Sequence, residues 1–173
     1  MEKVHEKRFE TVFPIHKERS VITALQSAHS YEEVAYDIYS LENEHPNIGA
    51  GMIGDLESEM DLDSFLNLVK RQFDLKFLKH TSYSKPIKRV AVCGGSGSFL
   101  RFNAKGAGAD VFISSDFKYH EWFDAEKNLS YIDIGHYESE QFTKQLISGF
   151  LEKNAVSLQT QISKQNTNPV KYF

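Results

Sequence analysis

Residues 108–140, GADVFISSDFKYHEWFDAEKNLSYIDIGHYESE, contain two short apolar runs, at 110–114 and 131–134, each closed by a polar turn and followed by a helical pattern. Runs of this length, rich in Val, Ile, Phe and Tyr and bounded by Gly, Ser and Asp, read as strands buried on both faces. A third such unit stands just upstream: a strand over 89–93, the glycine loop GGSG at 94–97, then a helix to about Gly106. The spacing predicts further helices over 118–127 and 136–153. Three strand-helix alternations of this size imply right-handed crossovers and a mainly parallel sheet with flanking helices, which is an α/β fold. In open sheets of this kind, the loops at the carboxyl ends of the strands lie along one edge, where ligands bind. The polar residues that follow the strands are therefore expected to face one cleft.

Working outward from this block, Asp61 or Asp63 is placed to cap a helix whose Phe65, Leu66, Val69 and Phe73 form one apolar face, and short strands are expected at 52–56 and 75–78. Residues 42–54, ENEHPNIGAGMIG, hold Pro46, two Asn and three Gly without helical period, and read as a linker or loop between lobes. Before it, alternation at 8–13, the break at Pro14, helical spacing of Val21, Ile22, Leu25 and Ala28, and near-alternation at 34–41 predict a small β-α-β unit. Such a unit has too little core to stand alone. The expected division is thus 1–44 and 45–173. The polar stretch 156–173 is read as one or two further strands at most.

Composition narrows the function classes. The chain has 173 residues, 40% of them hydrophobic, and a formal charge of -4 from 24 acidic and 20 basic residues. That balance supplies no basic stripe for a phosphate backbone, so nucleic acid is disfavoured and a small or metal-bound ligand is expected. A single cysteine excludes an internal disulfide, and no window approaches the ~20 continuous apolar residues of a membrane span. The amino terminus lacks the apolar centre of a secretory signal, and a cytoplasmic setting is expected.

The residues able to carry chemistry cluster after the strands. His136 and Glu140 lie four apart at the start of a helix, so they share a face, and an imidazole nitrogen and a carboxylate oxygen suit zinc, iron or manganese. Two ligands alone hold an ion weakly, and on spacing alone a solvated first helical turn is the simpler account. One unit earlier, Asp116, His120 and Asp124 are spaced by four after another strand. His120 is a candidate proton shuttle or outer partner to a metal ligand, with a solvated helix surface as the alternative. Asp116 is read as a helix cap and Asp124 as a solvated residue. The loop at 94–97 has the setting of a phosphate cradle but lacks a P-loop lysine and the dinucleotide glycine spacing, so a structural turn is expected. Cys93 reads as a small buried residue, and His29, Glu32 and Glu33 as a helix end followed by solvated acids.

Taken together, AHSYEEVAYDIYSLEN at 28–43, GAGMIGDL at 49–56, VAVCGGSGS at 90–98, GADVFISSDFKYH at 108–120 and IDIGHYESE at 132–140 resemble the family called NGG-one-interacting factor three. Its members also carry the names GTP cyclohydrolase I type 2 homologue and dinuclear metal-centre protein. The resemblance implies two α/β halves around a site for two divalent metal ions, a ferredoxin-like inserted domain of which residues 1–44 would be part, and hexameric rings. Within its GHYxxE motif, it implies a metal-ligand role for His136 and a bridging role for Glu140. The family's adjacent histidine pair and aspartate ligand belong to an amino-terminal half that this chain does not contain, and that half is the first expected partner.

Two function classes follow. One is a metal-dependent hydrolase acting on a small molecule, complete only with the other half of the site. The other is a non-catalytic metal-binding or interaction module that packs on partner subunits.

Overall fold

The computed structural model describes residues 5, 7–43, 48–125, 128–155 and 157–171. The chain divides into two compact units, Met1–Glu44 and His45–Phe173. In the first, Pro14 opens a 3-10 turn, Ile15–Lys17, that runs into helix α1, Glu18–Ala28. None of its described residues is buried. The strands expected at 8–13 and 34–41 are absent among the described residues, and this corrects the β-α-β reading. Alternation prepares a segment for a sheet, but a strand exists only through a partner, and here Phe9, Val12, Tyr36 and Ile38 stay exposed.

The second unit is a mixed α/β domain. Its sheet is built from β1 (Met52–Met60), β2 (Lys79–His80), β3 (Ile87–Val92), β4 (Val111–Ser114) and β5 (Ser130–Asp133), in the order β1-β3-β4-β5-β2. The three central strands are parallel, with Ala91 opposite Phe112 and Ser114 opposite Asp133. Both edge strands are antiparallel, with Ile53 opposite Ala91 and Lys79 opposite Asp133. The parallel core matches the alternation of strands and helices, whereas apolar patterning marks an edge strand without specifying its direction.

Strand alternation divides the core into two layers. Val111, Ile113, Ile132 and Ile134 point to the face covered by Phe65, Leu66 and Val69 of helix α2, Leu62–Gln72. Phe112 and Tyr131 point to the opposite face, with Ala104 of helix α3, Arg101–Gly106, and with Phe117 and Leu129. Phe117 stacks on Tyr131 with ring centroids 5.2 Å apart. Each large apolar side chain so covered stabilises the fold by about 1.5–3 kcal/mol, and because β4 and β5 are interior strands covered on both faces, all of their residues are buried. Asp61 caps α2 by accepting from the Ser64 amide at 2.8 Å. Between β3 and β4, Asp110 accepts from Tyr83 Oη at 2.7 Å, from the Lys88 amide at 2.8 Å and from the Arg89 amide at 2.7 Å.

Several boundaries differ from expectation. The strand expected at 75–78 forms instead at Lys79–His80, because α2 ends in a tight turn, with Asp74 at φ 53° and the Leu75 amide bonded to Lys70 O, that sends Leu75 into the core. The first strand runs on to Met60, so the expected linker ends before Met52, and residues 44–47 of it lie outside the described residues. The helix expected at 118–127 is a 3-10 turn over Tyr119–Asp124, and residues 126 and 127 lie outside the described residues. The helix expected at 136–153 is two helices, α4 (His136–Glu140) and α5 (Thr143–Asn154). The break falls where Gln141 Nε2 donates to Phe73 O at 3.5 Å and Phe142 packs edge-on against Phe73, tying both residues to the end of α2. No strand forms among the described residues of 157–171; part of this stretch instead lines a cleft beside α4.

Candidate functional site

Because β4 and β5 are neighbours and parallel, Ser114 and Asp133 end side by side, and the residues that follow them meet at one sheet edge. After β5, Gly135 at φ 87° turns the chain into α4. The positive φ favours glycine here, and the absent Cβ leaves space that the Glu138 carboxylate fills. The first residue of α4 is His136. Its Nε2 lies 3.3 Å from Glu140 Oε2, one helical turn on. Its Nδ1 lies 2.5 Å from Asp116 Oδ2, which arrives from the end of β4 on a residue at φ 58°.

The glycine loop closes this constellation from the side. Gly95, at φ 61°, sits so near the Glu140 carboxylate that a Cβ on it would overlap Oε1. Its amide donates to Ser139 Oγ at 2.8 Å, and Ser139 Oγ donates in turn to His136 O at 2.8 Å. The Gly95 carbonyl accepts from the buried hydroxyls of Ser115 and Ser114. Gly97 is packed against Cys93 Sγ and Ser114 Oγ, where a Cβ would lie 2.5 Å from each. The loop is a backbone turn fastened to α4 and to the end of β4.

Electrostatics follow from this arrangement. The hydrogen bond that His136 donates to Asp116 holds the imidazolium above its ordinary pKa range, and the Asp116 and Glu140 charges act in the same direction against partial burial. Burial pushes the Cys93 thiol up, and the Glu140 charge adds to that. His136, Asp116 and Glu140 are each about half exposed and open onto a cleft of about 910 Å³. Ile134 and Tyr137 line it on the α4 side, and Asn168, Pro169 and Val170 line it from the tail.

The remaining candidates separate from this set. His120 lies on the exposed 3-10 turn, edge-on to Tyr119 with ring centroids 5.5 Å apart, outside the cleft lining. Asp124 accepts from Arg101 Nε at 3.0 Å, which corrects its reading as a solvated residue. Asp116 is corrected as well. Its carboxylate engages His136, while the Lys118 amide at the start of the 3-10 turn is bonded by Glu121 Oε2 at 2.9 Å. In the first unit, His29 follows the end of α1 and accepts from the Tyr31 amide through Nδ1 at 3.1 Å. Ser139, which joins the glycine loop to α4, carries no signal in the sequence beyond its place inside the helix start.

No group of three or more His, Cys, Asp or Glu placed to hold a metal ion occurs among the described residues. The donors present fit part of such a site. His136 and Glu140 offer one nitrogen and one oxygen to a common point, and the other ring nitrogen is held by a carboxylate, as is usual for metal-binding histidine.

A sequence model of the Duf34/NIF3 (NGG1p interacting factor 3) family matches residues 5–169, and the chain belongs to this family. It is 38% identical over 179 residues to a GTP cyclohydrolase 1 type 2 homolog of Bacillus subtilis (strain 168), an alignment covering 100% of this chain and 48% of that protein. Among solved structures, the Bacillus cereus protein related to NIF3 superposes with a TM-score of 0.76 at 36% identity, covering 93% of this chain and 46% of that one. The Staphylococcus aureus protein SA1388 gives a TM-score of 0.71 at 26% identity, covering 92% of this chain and 53% of that one. The chain spans about half the length of the curated relatives it matches.

Proposed function

We propose that this chain contributes half of a dinuclear metal centre to a metal-dependent hydrolase, with His136 binding one ion and Glu140 bridging two. The observation that supports this reading is the convergence of His136 Nε2 and Glu140 Oε2, 3.3 Å apart, against a loop whose Gly95, lacking a Cβ, leaves space that the carboxylate occupies. Two donors leave most of an ion's shell to water, so the other ligands would come from a second segment, for which relatives about twice as long as this chain have room. When bound, a pair of divalent zinc, iron or manganese ions lowers the pKa of a bound water and polarises the bond it attacks. The chain's own part is to hold two ligands rigidly and to border the cleft in which a small substrate would lie.

The name GTP cyclohydrolase borne by the relatives suggests a nucleotide substrate, and the family resemblance suggests a hexamer. No helix among the described residues is long and apolar enough to cross a membrane. The single, unpaired cysteine suits a reducing cytoplasm.

Calorimetric titration of the chain with zinc and manganese tests the reading, first alone and then with the amino-terminal half of a close relative supplied in trans. Weak binding alone and a steep gain on completion are expected. Tight binding of two ions by the chain alone, or no gain on completion, would overturn it.

A further inference from the structure

We infer that Asp116 is a positioning residue that selects the tautomer of His136, keeping the proton on Nδ1 so that Nε2 presents its lone pair towards Glu140. The observation is geometric: Asp116 Oδ2 lies 2.5 Å from Nδ1 and the carboxylate has no other side-chain partner among the described residues. A carboxylate accepts and does not donate, so this contact is satisfied only by an Nδ1–H. Glu140 Oε2 competes for the ring proton through Nε2, but from 3.3 Å, so in neutral imidazole the shorter Asp116 contact keeps the proton on Nδ1 and Nε2 becomes the acceptor.

The backbone supports the assignment. Asp116 holds φ 58°, a conformation that costs a residue with a Cβ free energy and persists where surrounding structure enforces it. That enforcement is visible on both sides. The preceding Ser115 is fully buried and its hydroxyl is bonded to Gly95 O, and the following Phe117 is buried against Tyr131. The turn thus aims one carboxylate out of a fixed strand end at one ring nitrogen, across 20 residues of sequence.

The consequence for metal depends on the proposed role of His136, but the tautomer itself does not. The test therefore begins with the metal-free protein. Nitrogen-15 ring shifts of His136, recorded above the pH at which the ring is charged, are expected to show Nδ1–H in the wild type. Asp116→Asn, whose side chain suits the left-handed turn and offers an N–H as well as an oxygen, is expected to give a mixture of tautomers. Asp116→Gly, which relieves the backbone and removes the carboxylate, is expected to give the Nε2–H form that predominates in free imidazole side chains. In parallel, zinc affinity is expected to fall roughly 10- to 100-fold in both variants, the range seen when an outer-shell partner of a metal-binding histidine is lost. Asp116→Glu, with the carboxylate but a longer arm, should recover part of the Nδ1–H population.

A wild-type ring protonated on Nε2, or tautomer populations unchanged in Asp116→Gly and Asp116→Asn, would overturn the inference. So would a change in the cobalt absorption spectrum of Asp116→Asn showing a lost direct ligand, which would make Asp116 part of the coordination shell. If the wild type shows Nδ1–H and the variants do not, yet no protein binds metal, the inference stands and the proposed metal role fails.

Discussion

Glu140 and Gly95 meet so closely that the carboxylate occupies the space a Cβ on Gly95 would need, although 45 residues separate them in the chain. The contact also distinguishes Glu140 from Glu138, whose carboxylate instead fills the space beside Gly135.

The first prediction concerns that distinction. In the protein completed by the amino-terminal half, Glu140→Ala should cost more metal affinity than His136→Ala, because a bridging carboxylate serves both ions. Both losses should exceed the roughly 10- to 100-fold of an outer-shell change, and Glu138→Ala should leave affinity near the wild type. Calorimetry on the three variants decides it, and loss of metal on Glu138→Ala alone would refute the assignment.

Substituting Gly95 should act on stability and site together. Gly95→Ala forces a Cβ into a left-handed backbone, at a cost of about 1–2 kcal/mol, and also displaces the Glu140 carboxylate. Gly108 shares the conformation, at φ 73°, but has open space around it. Gly108→Ala should therefore show the backbone cost alone, with metal affinity preserved. Urea unfolding and metal titration of both variants separate the two effects.

Asp110 gives the fold a dependence on pH. Burial works to raise its carboxyl, but the bonds from the Arg89 amide, Tyr83 Oη and the Lys88 amide outweigh it and hold the pKa below the ordinary carboxylate range. A group depressed in the folded state adds stability that is present above its unfolded pKa, about 3.9 for Asp, and lost as pH falls through the lower folded value. Asp110→Asn should be destabilised by about 1.5–3 kcal/mol at pH 7, and the gap to the wild type should narrow as the pH falls towards 3 and below. A gap independent of pH in denaturant melts would count against this account.

Cys93 should be slow to react. Its thiol is buried beneath the glycine loop and raised in pKa by that burial, so little thiolate exists at neutral pH. Labelling by a disulfide reagent is expected to be far slower in the native protein than in urea, and rapid labelling of the folded chain would show that the loop opens.

The central strands were legible because their signals are local. Apolar runs such as 111–114 and 131–134 end at Ser or Gly, and period two within them sorts Phe112 and Tyr131 from Val111 and Ile132. The proximity of His136 and Glu140 was legible for the same reason, one helical turn being a short-range relation, whereas spacing alone favoured a solvated turn and their ligand roles came only from the family resemblance. What depends on adjacency was not. Asp116 looked like a cap because its partner lies on the neighbouring strand's loop, and only the pairing of β4 with β5 brings the two together. The break between α4 and α5 arises from contacts of Gln141 and Phe142 with Phe73, far away in the chain. The strands expected at 8–13 and 34–41 had the right pattern and, among the described residues, no partner.

The side-by-side endings of β4 and β5 bear on how this protein tolerates insertions and deletions. The distance from Asp116 to His136 is set by the ladder bonds that pair Ser114 with Asp133, and not by the chain that connects the two strands. The connecting segment can therefore gain or lose residues over evolutionary time without moving the imidazole from its carboxylate. A single residue inserted between Ser114 and Asp116, or between Asp133 and His136, would break the contact at once. In a comparison of homologous chains, length variation should accumulate in the connection between the strands and be absent from those two short steps.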